Sequence, residues 1–359
     1  MQPRHALLAG PLVLAALVHC GSSSDDTLGA SEPAREAGAD AATAADAADA
    51  AVESDAAARP LARMTKARSL FAALNGKDGR IRAVGGLGTA GLDDTTETYD
   101  PTTDKWTQDA ASASVRRYGH GAAQDATGRV FVLGGTTDGP TPIATAEIFS
   151  PADGTWQAIA DLPTARLGLA AATGKDGRVY AIGGRVAAGS ASDVVEVYDA
   201  VAQTWSAAAS LPTKRLALVA VTGADGKIYA IGGRDSENRA LADVEVLDTD
   251  QGTWTKSAPL KTARFWLAAT LGEGGKIYAL GGLDAKGFLD DAEVLTPGSG
   301  WTTLAAMPEP RGWASAGASK DGRVFVMGGG TPGDELPGTQ PPALRTMLVL
   351  DTKTGAWTR

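Results

Sequence analysis

The chain has 359 residues but only one cysteine, Cys20, and three histidines, of which His120 alone lies beyond the first 20 residues. A single cysteine excludes an internal disulfide. The scarcity of thiol and imidazole groups also leaves a zinc ion without its usual ligands. We therefore predict no metal site, no cofactor and no catalytic residue, and we assign His120 to local packing or hydrogen bonding rather than to catalysis.

Positive charge is scarce as well, with 33 Lys and Arg against 42 Asp and Glu and a formal net charge of −9. This balance offers no basic surface of the kind that nucleic acids require. Nine of the acids lie within residues 21–59, where only Arg35 and Arg59 oppose them. The same segment is rich in alanine and poor in large apolar residues, so we predict a disordered, self-repelling linker.

The apolar run near the N terminus, Ala6–Val18, follows a short basic head and is too short to span a bilayer as a stable helix. We predict that residues 1–20 are a signal segment. Its end, Leu17–Cys20 followed by Gly-Ser-Ser-Ser, resembles a bacterial lipoprotein signal, in which the cysteine is lipidated. This resemblance implies export to the cell envelope and a membrane anchor on Cys20. His19 departs from the Gly, Ala or Ser of that family, so a cleaved peptide and a periplasmic or secreted protein stay as the alternative.

The chain does contain a unit that recurs six times after residue 60. Each unit carries a Gly-Gly pair, and successive pairs are 49 residues apart four times and 47 residues apart once. The pairs begin at Gly85, Gly134, Gly183, Gly232, Gly281 and Gly328. The arginines that stand 17 residues before them are Arg68, Arg117, Arg166, Arg215, Arg264 and Arg311. The tryptophans that end the units are Trp106, Trp156, Trp205, Trp254, Trp301 and Trp357. A fixed register with a period near 50 residues indicates a propeller.

Every segment of a unit has the character of a strand, as residues 163–205 show. Small apolar residues follow the arginine, and an Asp-Gly turn at Asp176-Gly177 then leads into the alternating run Arg178–Ile182. A third strand is predicted over Val194–Tyr198, and a fourth starts at Trp205. One sheet of four short strands is marginal, but six sheets stacked radially bury both faces of each sheet.

The order of arginine, apolar strand with Gly-Gly, Glu-x-Tyr-Asp and tryptophan resembles the kelch repeat. The resemblance covers residues 60–359 and implies an all-β fold, a six-bladed β-propeller of four-stranded antiparallel blades. Kelch propellers include oxidases, sugar mutarotases, ubiquitin-ligase adaptors and plain binding modules, so the resemblance does not decide the function. The copper radical oxidases of this family need a histidine pair, tyrosines and a cross-linked cysteine. Residues 60–359 cannot supply that set, and we exclude oxidase chemistry.

We predict a single propeller domain over residues 60–359, acting as a monomer. Its blades are predicted at residues 66–112, 113–162, 163–211, 212–260, 261–307 and 308–359. The run Pro60–Met64 matches the ends of other fourth strands, and we expect it to complete the outer strand of blade 6 beside residues 348–359. Pairing the two ends of the chain removes an unpaired sheet edge and holds both termini.

The six repeated arginines have two interpretations. In the first, each arginine pairs within its blade with a glutamate that stands two residues before the tyrosine of the Tyr-Asp position. The glutamates at that position are Glu97, Glu147, Glu196, Glu245 and Glu293. In the second, the arginines surround the mouth of the channel and bind an anionic ligand, as channel-mouth arginines do in some kelch proteins. Unit 6 has Leu348 at the glutamate position, so we expect Arg311 to lack that partner.

Two additional tryptophans, Trp266 and Trp313, each follow a repeated arginine by two residues, where the other units have leucine, glycine or alanine. Either they form a stacking platform for a sugar or a peptide side chain, or they fill the core.

The loops after the Gly-Gly pairs vary between units and gather on one face, where specificity is expected to lie. Residues 235–239 form the most polar of these loops, and Gly330–Leu344 is the longest. We predict an off-centre ligand site on the blade 5–6 side of the channel mouth, beneath the long loop. The candidate residues are Arg311, Trp313, Trp266, Arg264 and Arg239. In the competing interpretation, Asp334 or Glu335 replaces the missing glutamate of Arg311 and the tryptophans only fill space.

These observations predict an exported, membrane-tethered binding module that recognises a protein or a cell-envelope glycan at the channel mouth. The alternative is an enzyme such as a sugar mutarotase acting on an acidic sugar, because that chemistry needs only carboxylates and arginines at the mouth. The two hypotheses differ in whether an arginine and an unpaired Asp or Glu converge there.

Overall fold

The computed structural model describes residues 60–109, 111–137, 139–332 and 343–359. They form six four-stranded antiparallel sheets, each made by one sequence unit, so the predicted six-bladed propeller is confirmed. The first strands of neighbouring sheets contact one another around a common axis, and we call them the inner strands. Within the described residues the helical structure is limited to one 3-10 turn, Glu273–Gly275.

The strands are given from the axis outward. Blades 1 and 2 contain Ala72–Asn75, Ile81–Val84, Thr96–Asp100 and Lys105–Gln108, then Gly121–Gln124, Val130–Leu133, Ala146–Ser150 and Thr155–Ile159. Blades 3 and 4 contain Ala170–Thr173, Val179–Ile182, Val195–Asp199 and Thr204–Ala207, then Val219–Thr222, Ile228–Ile231, Val244–Asp248 and Thr253–Lys256. Blades 5 and 6 contain Ala268–Leu271, Ile277–Leu280, Ala292–Thr296 and Gly300–Thr303, then Ser315–Ala318, Arg323–Met327, Met347–Asp351 and Trp357–Thr358. Two small hairpins pair Leu87–Gly88 with Gly91–Leu92 and Leu283–Asp284 with Gly287–Phe288.

The core lies between the blades. One apolar cluster joins Tyr180 and Ile182 of blade 3 to Leu218 and Ile228 of blade 4. The second strand of each blade is buried along nearly its whole length, because a neighbouring sheet covers each of its faces. Because both faces of these strands are buried, they carry apolar residues at nearly every position and not only at alternate ones.

In blades 3 to 6 the repeated tryptophan ties the blade to the chain segment that enters it. The indole Nε1–H of Trp205 donates to the Ala160 carbonyl at 2.8 Å. The same bond recurs in blades 4, 5 and 6, from Trp254 to Ala209, from Trp301 to Ala258 and from Trp357 to Ala305. In blades 3 to 6 the tryptophan therefore contributes a hydrogen bond as well as apolar area. In blades 1 and 2 the indole N–H groups of Trp106 and Trp156 are buried without an acceptor among the described residues, so apolar burial is what all six positions share.

Near the N-terminal end of the domain, Met64 joins blade 1 to blade 6 and so closes the circle of blades. The Met64 N–H donates to the Arg345 carbonyl at 3.0 Å, just before the third strand of blade 6. Leu162 and Leu211 make the equivalent bond in blades 2 and 3, to Ala144 and Asp193. Residues 60–64 are not assigned to a strand and make no ladder with residues 348–359. Instead Leu61, Ala62 and Met64 pack in one apolar cluster with Met347 and Val349 of blade 6. A side-chain anchor takes the place of the expected strand.

Six backbone hydrogen bonds form a closed ring around the propeller axis. The ring lies at the end of the propeller where each inner strand begins. Each member lies two residues after a repeated arginine and donates its N–H to the member in the preceding blade. The members are Leu70, Gly119, Gly168, Ala217, Trp266 and Trp313, with N···O distances of 2.7–3.2 Å. All six have φ between +48° and +63°, which is a strained conformation for the four that are not glycine. We call this arrangement the ring.

The predicted signal segment and linker, residues 1–59, lie outside the described residues, as does most of the long loop, residues 333–342. In the part of the chain that the structure describes, no helix has the length and apolar character needed to cross a membrane.

Candidate ligand-binding face

The six repeated arginines are buried, with 0–1% of their surface exposed. Each donates to the carbonyl of the first glycine of its own Gly-Gly pair, as Arg166 does to Gly183 at 2.9 Å. Blades 1 to 5 also contain the predicted ion pair with the third-strand glutamate, as between Arg166 and Glu196 at 2.8 Å. The arginines therefore hold the second and third strands together from inside the blade, and the structural interpretation of the repeat is correct for these positions.

Arg311 is paired as well, so the expectation of an unpartnered charge there was wrong. Its guanidinium contacts Glu309, two residues earlier in the chain, and donates to the Thr346 hydroxyl at 2.7 Å. Glu309 also binds Arg359 at 2.7 Å. In blade 6 the carboxylate that pairs with the arginine lies two residues before it in the chain, whereas in blades 1 to 5 it lies on the third strand. Because Arg311 and Arg264 are buried and paired, neither guanidinium is available to a ligand.

His120 lies at the register of Leu169, Leu218 and Leu267, whose side chains pack against the Gly-Gly pair of the preceding blade. The imidazole packs in the same way against Gly85. Burial, reinforced by the positive charge of Arg117, lowers the pKa of His120 to about 3. The histidine is therefore a neutral packing residue between blades 1 and 2.

We compare the free energy of unfolding of the His120→Leu variant with that of the native chain. We expect this difference to favour the variant by about 2 kcal/mol more at pH 5 than at pH 8. The folded-state pKa lies below the unfolded value of about 6.5. The unfolded chain therefore binds an extra proton between about pH 3 and pH 6.5, and the native protein loses stability as the pH falls through this window. Urea unfolding of both proteins at the two pH values measures the effect. Equal differences between the proteins at pH 5 and pH 8 would contradict it.

A channel of about 520 Å³ runs along the axis inside the ring and is lined by the inner strands. Small residues such as Ala72, Ala171 and Ala269 make up most of its wall. Trp266 and Trp313 lie at the ring end, whereas Lys77 and Lys175 lie at the opposite end. The additional tryptophans therefore belong to the mouth of the channel and not to the core between blades.

The Trp266 indole extends across the opening of the hydrogen-bonded ring. A methyl group at Gly168 would come within 3.0 Å of its Cη2 atom, and one at Gly119 within 3.7 Å. Gly119 belongs to blade 2, which lies opposite blade 5 in a six-bladed propeller. The glycines of blades 2 and 3 thus leave room for an aromatic ring from across the axis. One face of Trp266 packs on the apolar cluster of Ala191, Leu216 and Ala217, and the side chain stays half-buried.

Trp313 belongs to a second aromatic group on the blade 5–6 side. Its ring meets that of Phe288 edge-on, with centroids 5.0 Å apart. Phe288 comes from the small hairpin of blade 5, which therefore supports the indole from the side. Trp313 is half-buried, so part of its surface faces solvent at the mouth.

Arg239 lies in the polar loop of blade 4, and 73% of its side chain is exposed. Its guanidinium binds Asp235 at 2.7 Å and Glu237 at 3.3 Å within the same loop. The Arg239 charge is therefore paired within its own loop, whose two acids and one arginine leave a net charge of −1. Of the five candidate residues, the structure brings Trp266 and Trp313 together at the ring, and Arg239 lies apart from them in its own loop.

The sequence analysis missed two other arginines on this face, Arg185 and Arg234. Each follows a Gly-Gly pair directly, in adjacent blades, where the other units have Leu87, Thr136, Leu283 and Gly330. Arg234 lies over the ring of Phe265, with its Cζ atom 5.1 Å from the centroid. The signal that could have identified them is the pair of Gly-Gly-Arg sequences in units 3 and 4.

The described residues of this face do not place a carboxylate within ion-pair distance of Arg185 or Arg234. Nor do the described residues bring together three or more His, Cys, Asp or Glu side chains that could hold a metal ion. Within the described residues, the face therefore combines half-buried aromatic rings with two arginines that make no ion pair.

Comparison with known proteins agrees with this architecture. The family model described as the KLHDC2/KLHL20/DRC7 Kelch-repeats domain matches residues 72–262 and 176–359. No curated protein matches this chain. The solved structure named "Structure of YjhT" aligns with a TM-score of 0.68 at 16% identity, covering 83% of this chain and 99% of that chain. An identity this low shows a shared fold alone. Because the family model spans well over half of the sequence, this chain belongs to the kelch-repeat family.

Proposed function

We propose that this chain is an exported binding module that holds a cell-envelope glycan on the ring face of its propeller. The observation that carries the proposal is the position of Trp266, a half-buried indole laid across the mouth of the channel. A large aromatic surface at the centre of a concave face is a common element of ligand sites. The apolar face of a sugar ring is small enough to stack on the accessible part of a half-buried indole.

The surroundings of Trp266 support binding at this place. Its backbone is held on both sides by the ring, through its N–H to Ala217 at 2.8 Å and its carbonyl to Trp313 at 3.2 Å. Its side chain rests on an apolar cluster and on the glycines of blades 2 and 3. Trp313 and Phe288 extend the aromatic surface toward blade 6. A ligand would therefore meet aromatic side chains that are already in place.

Export and membrane anchoring are part of the proposal and rest on the sequence of residues 1–20. The lipoprotein-like stretch that ends at Cys20 supports a lipid anchor, and the acidic segment 21–59 would separate that anchor from the propeller. A cell fractionation that compares the native chain with Cys20→Ala tests the anchor. Membrane association that is unchanged in the variant would reject it.

The mutarotase alternative requires an acid near a cation at the mouth. Among the described arginines that follow a Gly-Gly pair, Arg185 and Arg234 make no ion pair, and the acids of the loop after Arg234, Asp235 and Glu237, are bound by Arg239. This arrangement supports binding over catalysis, because a proton-transfer group must lie within hydrogen-bond reach of the reacting atom.

A glycan array probed with the purified protein, together with a crosslinking pulldown from cell envelopes, tests the proposal. We expect Trp266→Ala to weaken binding by about tenfold or more, equivalent to about 1.4 kcal/mol, and Trp266→Phe to retain most of it. Thermal unfolding of both variants controls for folding. Undiminished binding by a folded Trp266→Ala protein would reject this face. Capture of a protein partner, with no glycan bound, would reject the glycan.

A further inference from the structure

We infer that the ligand carries a substituent that ends in a methyl group, either that of a deoxy sugar or that of an acyl group. This methyl group packs on an apolar subsite beside the Trp266 platform, formed by Trp313, Phe288 and Leu283 on the blade 5–6 side of the mouth. The inference rests on the proposed function, because it names a group that the bound glycan carries. The platform and the subsite use different residues, so separate variants test them.

Blade 6 leaves a gap in the wall of the mouth. In every blade, the residue after the repeated arginine pairs with the residue after the Gly-Gly pair. In blades 1 to 5 both members carry a side chain, as Phe265 and Leu283 do in blade 5. In blade 6 both members are glycine, Gly312 and Gly330, bonded to each other at 2.9 and 3.1 Å. A pair without side chains leaves the space beside it to a neighbouring blade.

The small hairpin of blade 5 occupies part of that space. A methyl group at Gly312 would overlap the Leu283 side chain and come within 3.1 Å of the Phe288 Cδ1 atom. Leu283 and Phe288 pair with each other across the hairpin, and the Phe288 ring meets that of Trp313 edge-on at 5.0 Å. The three side chains therefore form one apolar group beside the backbone of blade 6.

This apolar group does not belong to the core. All three side chains are half-buried, and they lie outside the apolar clusters that make up the core of the described residues. Leu87, which has the position of Leu283 in the blade 1 hairpin, is only 2% exposed. Large apolar side chains that stay partly exposed together mark an interaction site, whereas single ones scattered over a surface do not.

The subsite offers little to a polar group. Leu283 and Phe288 have no polar side-chain atom, and the indole N–H of Trp313 is a donor only. A hydroxymethyl group placed against these side chains would lose hydrogen bonds to water without replacing them. A methyl group in the same place gains free energy by leaving water. The chemistry of the subsite therefore favours a methyl group over the hydroxymethyl group of a common hexose.

The subsite continues the platform. Trp313 and Trp266 are successive members of the ring, and the Trp313 N–H donates to the Trp266 carbonyl at 3.2 Å. Their side chains therefore start from adjacent positions at the mouth. A sugar that stacks on Trp266 can direct one substituent toward blade 6, where its methyl group meets Trp313 and Phe288.

The test uses matched sugars that differ in one group. Methyl glycosides of the 6-deoxy forms of galactose, glucose and mannose are each compared with the parent sugar by ligand-observed NMR titration of the full chain. We expect a 6-deoxy form to bind about fourfold or more tightly than its parent, the factor for burying one methyl-sized group. Saturation transfer from the protein should be strongest at its methyl protons. A preference for the 6-O-acetyl derivative instead would assign the subsite to acyl groups.

Variants of the hairpin locate the methyl group on the protein. Phe288→Ala should make the affinities for the two members of a matched pair equal, whereas Phe288→Leu keeps an apolar wall and should retain most of the preference. Leu92→Ala is the matched control, because Leu92 has the position of Phe288 in the blade 1 hairpin and is also half-buried. This control should keep the full preference. Thermal unfolding of the three variants checks their folding.

Failure of the subsite is distinguishable from failure of the platform. A native chain that binds the sugars without preferring a methyl-bearing form overturns the subsite and leaves the Trp266 platform standing. A preference that persists in a folded Phe288→Ala protein does the same. The comparison within the native chain needs no variant, so it stays decisive if Phe288→Ala does not fold. Undiminished binding of both members by a folded Trp266→Ala protein rejects the platform instead.

Discussion

Replacing Arg166 by methionine should destabilise the propeller by about 3–5 kcal/mol. Methionine keeps the apolar stem of the side chain but removes its charge and its donors. Glu196 would then stay buried as an uncompensated carboxylate, and the carbonyls of Gly183 and Val194 would lose donors that now lie at 2.9 and 2.8 Å. A loss of this size is a large part of the 5–15 kcal/mol that holds typical domains folded.

A double-mutant cycle measures the Arg166 effect. The native chain, the two single variants and the double variant are each unfolded in guanidinium chloride. Adding Glu196→Leu to Arg166→Met should recover part of the stability, because no charge is then left buried, and Leu348 shows that leucine fits this register in blade 6. Arg116→Met serves as the control, since its pair with Asp94 is exposed and should cost less than about 1 kcal/mol. Strictly additive effects of the two substitutions would contradict a coupled buried pair.

Loss of the Met64 side chain should open the ring of blades. Met64 is fully buried among Phe71 and Tyr99 of blade 1 and Phe325 and Met347 of blade 6. We expect Met64→Ala to cost about 2–5 kcal/mol, as for other large-to-small changes in a core. Met64→Asp should prevent folding at room temperature, because its short carboxylate cannot reach water from this position.

Met64→Leu is the matched control for this series. Leucine occupies the equivalent register in blades 2, 3 and 4, at Leu162, Leu211 and Leu260, and a volume-conserving exchange usually costs less than about 1.5 kcal/mol. Circular dichroism during urea unfolding gives the order of the three variants. If Met64→Ala unfolded at the same urea concentration as Met64→Leu, closure would not depend on this side chain.

The architecture could be predicted because each of its causes recurs six times. The arginine of every blade bonds the first glycine of its Gly-Gly pair, and the tryptophan makes the same backbone contact in four blades, so a recurring contact leaves a recurring residue. The pairing of Arg166 with Glu196 was predictable for the same reason. A single unit would not have carried either inference.

Departures from the repeat were harder to interpret, because a substituted residue can also change which residue its former partner binds. Leu348 correctly marked blade 6 as different, but the replacement carboxylate came from Glu309. At that register the other units have lysine, valine or threonine, and only coordinates show that a side chain there reaches the arginine.

The candidate site was predicted in part. The additional tryptophans do lie at the mouth, and Gly119 and Gly168 could have indicated that a large side chain crosses the ring toward blades 2 and 3. Arg185 and Arg234 were missed because Gly-Gly-Arg occurs in units 3 and 4 alone, outside the pattern that all six units share, and the sequence does not show whether such an arginine has a partner. Absence of a partner is a property of the fold and not of the local sequence.

The ring of backbone hydrogen bonds also affects how quickly a ligand is recognised. Trp266 is held between blades 4 and 6 by its own peptide groups, so the platform has no hinge that must close around an incoming molecule. Binding to a surface that is already in its final shape loses little conformational entropy. Association of a ligand with this face is then expected to be limited by diffusional encounter and orientation, and not by a conformational step of the protein.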